Sequence, residues 1–200
     1  MSLFFETIRV IDKKIQNLHY HNARLNHTIQ ANFGIQANID LREHIEQRDL
    51  DKERCKVLYS DTIKEVQFFT LTPRKVHSLK VLQSDITYNF KNVDREEIDK
   101  LFSKKENCDD ILIIKDGFVT DTSIANIALY DGERWVTPQK PLLRGTLREK
   151  LLEKERLVTK DIKIEDLKHF SHLALMNAMI GFQIQKNSII HKNNKETICL

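Results

Sequence analysis

Tyr88-Asn89-Phe90-Lys91-Asn92-Val93-Asp94-Arg95 sits near the middle of the chain, between a β-rich half and a mixed half. Lys91 is its candidate reactive residue. The residue type alone carries little weight, because Lys and Arg together number 32. Its setting carries more. Two aromatics and a valine crowd it, and Arg95-Glu96-Glu97-Ile98-Asp99-Lys100-Leu101-Phe102 follows with Ile98, Leu101 and Phe102 at helical spacing. A lysine at such a junction can be partly desolvated, which lowers its pKa and makes its amine nucleophilic toward a carbonyl. A solvated lysine leading into a surface helix accounts for the same residues.

Outward from this stretch, 200 residues allow one domain or two small ones with a real core. The 32 basic and 29 acidic residues leave a net +3, scattered along the chain, so charge names neither nucleic acid nor membrane as partner. Cys55, Cys108 and Cys199 are odd in number and lack C-x-x-C spacing, so neither a disulfide framework nor a zinc site is indicated. His77 has no Cys, His or carboxylate at ligand spacing, and no metal site is expected. With neither a signal-like opening nor an apolar run of membrane-spanning length, a cytoplasmic location is expected.

Residues 3–11 are β-branched and aromatic, and Asp12-Lys13-Lys14 interrupts them like a tight turn, giving an opening hairpin. A helical pattern runs through Leu18, His21, Leu25 and Ile29, with Gly34 as its stop. His21 and Arg24 share one face of that helix and can converge on a single anion; the planar fork of arginine suits phosphate. An exposed arginine on a solvated face fits the same pattern. Residues 42–54 read as a charged helix and loop, residues 55–60 and 65–71 as a meander, and residues 76–82 as a further strand.

Residues 109–114 read as a short buried strand, Asp116-Gly117 as a hairpin turn, and residues 118–129 as one returning strand holding both Asp121 and Asn126. Asp121 by itself reads as a turn-proximal carboxylate bonding its own backbone. A second hairpin is expected around Asp131-Gly132. Further on, Gly145 frees the backbone, Thr146 can N-cap, and Glu149 completes a capping box before a helix over residues 147–157. Such an N-terminus suits phosphate, although any capped helix presents the same amides. Residues 173–182 read as a buried strand and turn, and residues 191–200 as a polar, frayed edge.

Taken together, these segments resemble the fold-type IV pyridoxal-phosphate enzymes, and among them the aminodeoxychorismate lyases. Lys91 to Arg95 resembles the K-x-x-[ND]-R segment that begins at the cofactor lysine. The opening hairpin is similar to the family's first, with Lys13 where glycine is usual. His21-Asn22-Ala23-Arg24-Leu25 resembles H-x-x-R-L, which implies that Arg24 binds the cofactor phosphate. Residues 116–128 resemble the segment whose acidic residue bonds the protonated pyridine nitrogen. That role falls to Asp121, one methylene shorter than the usual Glu, with Asn126 as structural support. Gly145-Thr146-Leu147-Arg148 resembles G-[IV]-[TM]-R, which implies that amides after Gly145, at Thr146 and Leu147, hold the phosphate. Asn177-Ala178-Met179 resembles the lyases' N-A-L-M segment, which implies that the Asn177 side chain and the Ala178 amide face the phosphate.

The resemblance spans residues 3–185 and implies an α/β (α+β) fold of D-amino acid aminotransferase type in a short version. It implies a small domain over residues 1–84, a larger one with a β-barrel-like sheet over 85–200, and pyridoxal 5'-phosphate between them in a homodimer. The implied reaction converts 4-amino-4-deoxychorismate to 4-aminobenzoate and pyruvate for folate synthesis, with Lys91 catalytic. Transamination of branched-chain or D-amino acids, and a non-catalytic scaffold, are the alternatives.

Overall fold

In the first strand, β1 (Phe4–Ile11), every second side chain is buried, which places Phe4, Glu6, Ile8 and Val10 on the core face. The computed structural model describes residues 2–45, 52–192 and 196–200. Its packing divides the chain into two compact units, Met1–Pro73 with Phe90–Asp94, and Arg74–Asn89 with Arg95–Leu200.

In the first unit, β1 turns back into β2 (Lys14–Ile15) and pairs along its whole length with β3 (Lys52–Tyr59). β3 pairs in turn with β4 (Ile63–Thr70), so the expected meander forms and the sheet order is β2-β1-β3-β4. The first turn carries Asp12 at φ 47° and Lys13 at φ 62°, the two positive values of a primed hairpin turn. A side-chain-bearing residue there costs about 1–2 kcal/mol, and glycine's extra chain entropy offsets part of that. Lys13→Gly is therefore expected to stabilise the protein by roughly 0.5–1 kcal/mol in urea unfolding. A loss of stability would show that the Lys13 side chain outweighs its backbone strain.

Helix α1 (Leu18–Phe33) follows and ends where expected, at Gly34, whose φ of 70° lets its N–H bond the Gln30 carbonyl at 3.0 Å. It buries Leu25 and Ile29 against Phe4, Ile8, Val57 and Tyr59, each large apolar side chain contributing about 2 kcal/mol. Of the helix and loop expected over residues 42–54, the structure shows one 3-10 turn at Leu41–Glu43, N-capped by Asp40. Residues 46–51 of that expectation lie outside the described residues, and from Lys52 the chain is already strand.

In the second unit, β5 (Ser78–Gln83) runs parallel to β6 (Asp110–Lys115), and α2 (Glu96–Phe102) lies in the crossover between them. Ile98 of α2 joins Ile111 and Ile113 of β6 in one apolar cluster. Because β5 pairs there, the boundary expected at residue 84 falls at Pro73 instead. The turn into β7 (Phe118–Thr122) has Asp116 at φ 52° and Gly117 at φ 82°, as the Asp-Gly pair requires. Residues 118–129 are not one strand. β7 stops at Thr122, whose Oγ1 accepts the Ala125 N–H at 3.0 Å, and β8 (Asn126–Tyr130) runs back beside it. The reversal sets Asp121 directly opposite Asn126.

The sheet continues through β9 (Trp135–Pro138) to β10 (Val158–Lys160), while β11 (His172–Asn177) and β12 (Gly181–Gln185) branch from β8. Helix α3 (Thr146–Glu153) is shorter than expected, since Glu155 at φ 53° breaks it and Leu157 enters the core instead. The tail is not frayed throughout. β13 (Ile189–His191) pairs in parallel with β5, and β14 (Thr197–Cys199) pairs with β13; residues 193–195 lie outside the described residues.

Candidate active site

Lys91 belongs to the segment Phe90–Asp94, which packs with the first unit although it is remote from it in sequence. Backbone bonds fix it there: the Phe5 N–H donates to the Lys91 carbonyl at 2.9 Å, and the Val93 N–H donates to the Leu3 carbonyl at 2.9 Å. Lys91 is half-buried, with Nζ 4.5 Å from the centre of the Phe5 ring. An ammonium is at home on a ring face.

On the core face of the same sheet, His21 and Arg24 do converge on one anion, as their spacing predicts. The anion is the chain's own Glu6. Arg24 donates from Nε to Oε1 at 2.7 Å and from Nη2 to Oε2 at 2.5 Å, while His21 Nδ1 lies 2.6 Å from Oε2. Burial works to raise the pKa of Glu6. The Arg24 charge and the hydrogen bonds from His21 and Arg24 outweigh it and hold the carboxyl at about 2. Burial lowers the His21 pKa, against a partial rise from Glu6, so the ring is neutral at pH 7 and its Nδ1–H donates to the carboxylate. Two of the Arg24 nitrogens, Nε and Nη2, are thus engaged by Glu6. The sequence reading missed Glu6. A glutamate at an inward position of an alternating strand was the signal, since a buried carboxylate requires cationic partners.

In the second unit, Asp121 is buried. Burial pushes its carboxyl up to about 6, against the opposing hydrogen bonds of Asn126 and Leu143 and the charge of Arg148. Asn126 Nδ2 donates to Oδ1 at 2.7 Å and the Leu143 N–H donates to Oδ2 at 3.0 Å. Each oxygen retains acceptor capacity. Asn126 Nδ2 also donates to the Leu143 carbonyl at 2.8 Å.

Gly145, at φ −72° and ψ 139°, is the N-cap of α3, and Thr146 is the first helical residue; the expected Thr146 cap is thus displaced by one position. A Cβ on Gly145 would come within 2.0 Å of Asn126 Oδ1, so only glycine fits. The first intrahelical bond runs from the Glu149 N–H to the Gly145 carbonyl, which leaves the N–H groups of the first turn, at Thr146 and Leu147 among others, pointing out of the helix end. Arg148 is buried and donates Nη2 to the Pro138 carbonyl at 2.9 Å and Nη1 to Glu149 at 2.7 Å. Asn177 serves the turn between β11 and β12: its Oδ1 accepts from the N–H groups of Met179 at 2.8 Å and Ile180 at 2.9 Å. The same side chain thereby supports the turn that carries Ala178.

Residues 88–186 match the amino-transferase class IV family. An uncharacterized protein of Haemophilus influenzae is 35% identical over 184 residues, which is 88% of this chain and 97% of that one. The crystal structure of a Haemophilus somnus 129PT protein, provisionally named a 4-amino-4-deoxychorismate lyase, superimposes with a TM-score of 0.83 at 32% identity, over 90% of this chain and 98% of that one. An aminotransferase of Mycobacterium tuberculosis, named as hypothetical and solved with pyridoxal phosphate, shares the fold at 17% identity. Its TM-score is 0.76, over 96% of this chain and 84% of that one. On the residues matched, on the likeness to the two Haemophilus proteins along nearly their whole length and on the shared fold, this chain belongs to the amino-transferase class IV family of enzymes.

Proposed function

We propose that this chain is a pyridoxal-phosphate-dependent lyase that converts 4-amino-4-deoxychorismate to 4-aminobenzoate and pyruvate. The observation that carries the cofactor reading is Asp121. Its carboxyl is buried, with the Asn126 amide and backbone N–H groups as hydrogen-bond donors and the Arg148 charge acting on it, and a protonated pyridine nitrogen is the cation it would hold. Gly145 lies at the start of α3, whose first amides suit phosphate, and its missing Cβ makes room there for the Asn126 amide that bonds Asp121. The likeness to the Haemophilus somnus protein favours the lyase reaction over transamination.

Bound pyridoxal phosphate supplies an electron sink for the carbon that carries the substrate's amine. Lys91 would hold the cofactor through Nζ. The same Nζ is the base that would take the proton from the substrate's ring carbon bearing nitrogen. The C–O bond to the enolpyruvyl group then breaks, and the ring becomes aromatic. Nζ returns a proton to the methylene carbon of the departing group, which leaves as pyruvate. Asp121 would keep a proton on the pyridine nitrogen, while the amides of Thr146 and Leu147, the Ala178 amide and Arg24 would hold the phosphate.

The test is absorbance of the purified protein given pyridoxal phosphate, before and after aminodeoxychorismate is added, with 4-aminobenzoate followed as product. A visible band together with product is the expected result. A band without product, and with turnover that depends on an amino donor and a keto acid, would replace the lyase by an aminotransferase. Absence of any band would overturn the cofactor reading.

A further inference from the structure

Asp121 and the turn at Gly145 serve opposite ends of the proposed cofactor, and one side chain touches both. Asn126 Nδ2 is shared between Asp121 Oδ1 at 2.7 Å and the Leu143 carbonyl at 2.8 Å, and Leu143 closes the ring by donating its N–H to Asp121 Oδ2 at 3.0 Å. The other end of the Asn126 amide, Oδ1, fills the space that a Cβ at Gly145 would need. Only 6% of Asn126 is exposed, and its backbone pairs with Asp121 on one side and Met176 on the other, so the side chain has little room to swing.

We infer that Asn126 is a positioning residue that locks the Asp121 carboxylate to the turn entering α3, so that the groups for the ring nitrogen and for the phosphate move as one rigid piece. This rests on the cofactor reading above. The lock matters most because an aspartate, one methylene shorter than glutamate, has less freedom to adjust to a ring placed by its phosphate. The same lock explains the glycine: any larger residue at position 145 must expel the Asn126 amide and strand the groups it serves.

The experiment measures binding of pyridoxal phosphate and of pyridoxal, which lacks the phosphate, to wild-type protein, Asn126→Ala and Asn126→Ser. Both variants are expected to bind pyridoxal phosphate at least about tenfold more weakly, and the advantage of pyridoxal phosphate over pyridoxal should shrink several-fold, because the phosphate turn has lost its anchor. The pH midpoint for uptake should also rise, since Asp121 has lost a donor to its ionised form. An equal loss for both ligands would confine Asn126 to the ring end and overturn the lock, and unchanged affinities would overturn it outright.

A thermal cycle provides a readout that needs no cofactor. Gly145→Ala alone should lower the melting temperature by several degrees, but far less in the Asn126→Ala or Asn126→Ser background, where the colliding oxygen is gone or shortened. Strictly additive effects would overturn the lock. Wild-type protein that takes up no pyridoxal phosphate would overturn the cofactor reading together with this inference, whereas wild-type uptake with an unaltered ligand preference in the variants would overturn this inference alone.

Discussion

Lys91→Ala protein is expected to form 4-aminobenzoate at least about a thousandfold more slowly than the wild type, because one amine acts as both covalent holder and base. The fold should survive the change. Lys91 is only half-buried, and the backbone bonds that hold its segment, Phe5 N–H to the Lys91 carbonyl and Val93 N–H to the Leu3 carbonyl, do not involve its side chain. The side chain makes a contact with the face of Phe5, 4.5 Å from the ring centre, which contributes about 0.5–1 kcal/mol in such a setting. Lys91→Arg separates charge from amine. A guanidinium can keep the ring contact, yet it does not deprotonate at any working pH and cannot act as nucleophile or base. It should therefore be as inactive as alanine while melting close to the wild type. The visible band of lysine-held cofactor should be missing from both variants. Lyase activity retained by Lys91→Ala with cofactor bound would refute the assignment of this lysine.

The residues that could be read from the chain alone are those whose meaning is local. The helix ending at Gly34 and the turn at Asp116-Gly117 follow from rules that operate within a few residues, and the structure forms both. Lys91 was conspicuous through its neighbours in sequence, although the partner that holds its segment, β1, lies at the other end of the unit. What could not be read depends on pairing. Asp121 and Asn126 look like members of one strand because residues 118–129 are continuously strand-forming, and only the Thr122 hydroxyl, bonding across to Ala125, reveals the reversal. The turn at Gly145 was legible as a helix start. Its need for glycine was not, because the colliding atom comes from Asn126 in a different strand. The polar tail was misread for the same reason: β13 is short and unremarkable until β5 supplies a parallel partner. Asn177 was legible as a site residue only by resemblance, and its bonds within the turn, a local use, could not be read from the chain.

Glu6→Gln should cost about 3 kcal/mol of stability at pH 7, since it leaves Arg24 and buried His21 around a group that no longer carries charge. For a chain of this size that is a fall in melting temperature of about 10 °C. The pH dependence identifies the cause. The Glu6 pKa is depressed in the fold, from 4.5 to about 2, so its contribution is complete above 4.5 and disappears as the pH falls through that window toward 2. His21, also depressed, adds a loss that begins as the pH falls below its ordinary value of 6.5. Asp121 acts in the opposite sense. Its pKa is raised from 3.8 to about 6, so it stabilises the fold most fully below 3.8 and loses that contribution as the pH rises to 6. These terms overlap in the wild-type curve, but the difference between wild type and Glu6→Gln removes those that the two proteins share. Urea unfolding of both should give a difference that is constant from pH 7 to 8 and narrows steeply below 4.5. A difference that stayed flat to pH 3 would mean that the Glu6 charge contributes nothing and that shape alone is lost. The same variant links stability to the proposed function: without Glu6, the Arg24 fork is released from its bidentate bond and loses the orientation that its proposed role toward phosphate requires. Pyridoxal phosphate should then bind more weakly even at a temperature where Glu6→Gln protein is fully folded.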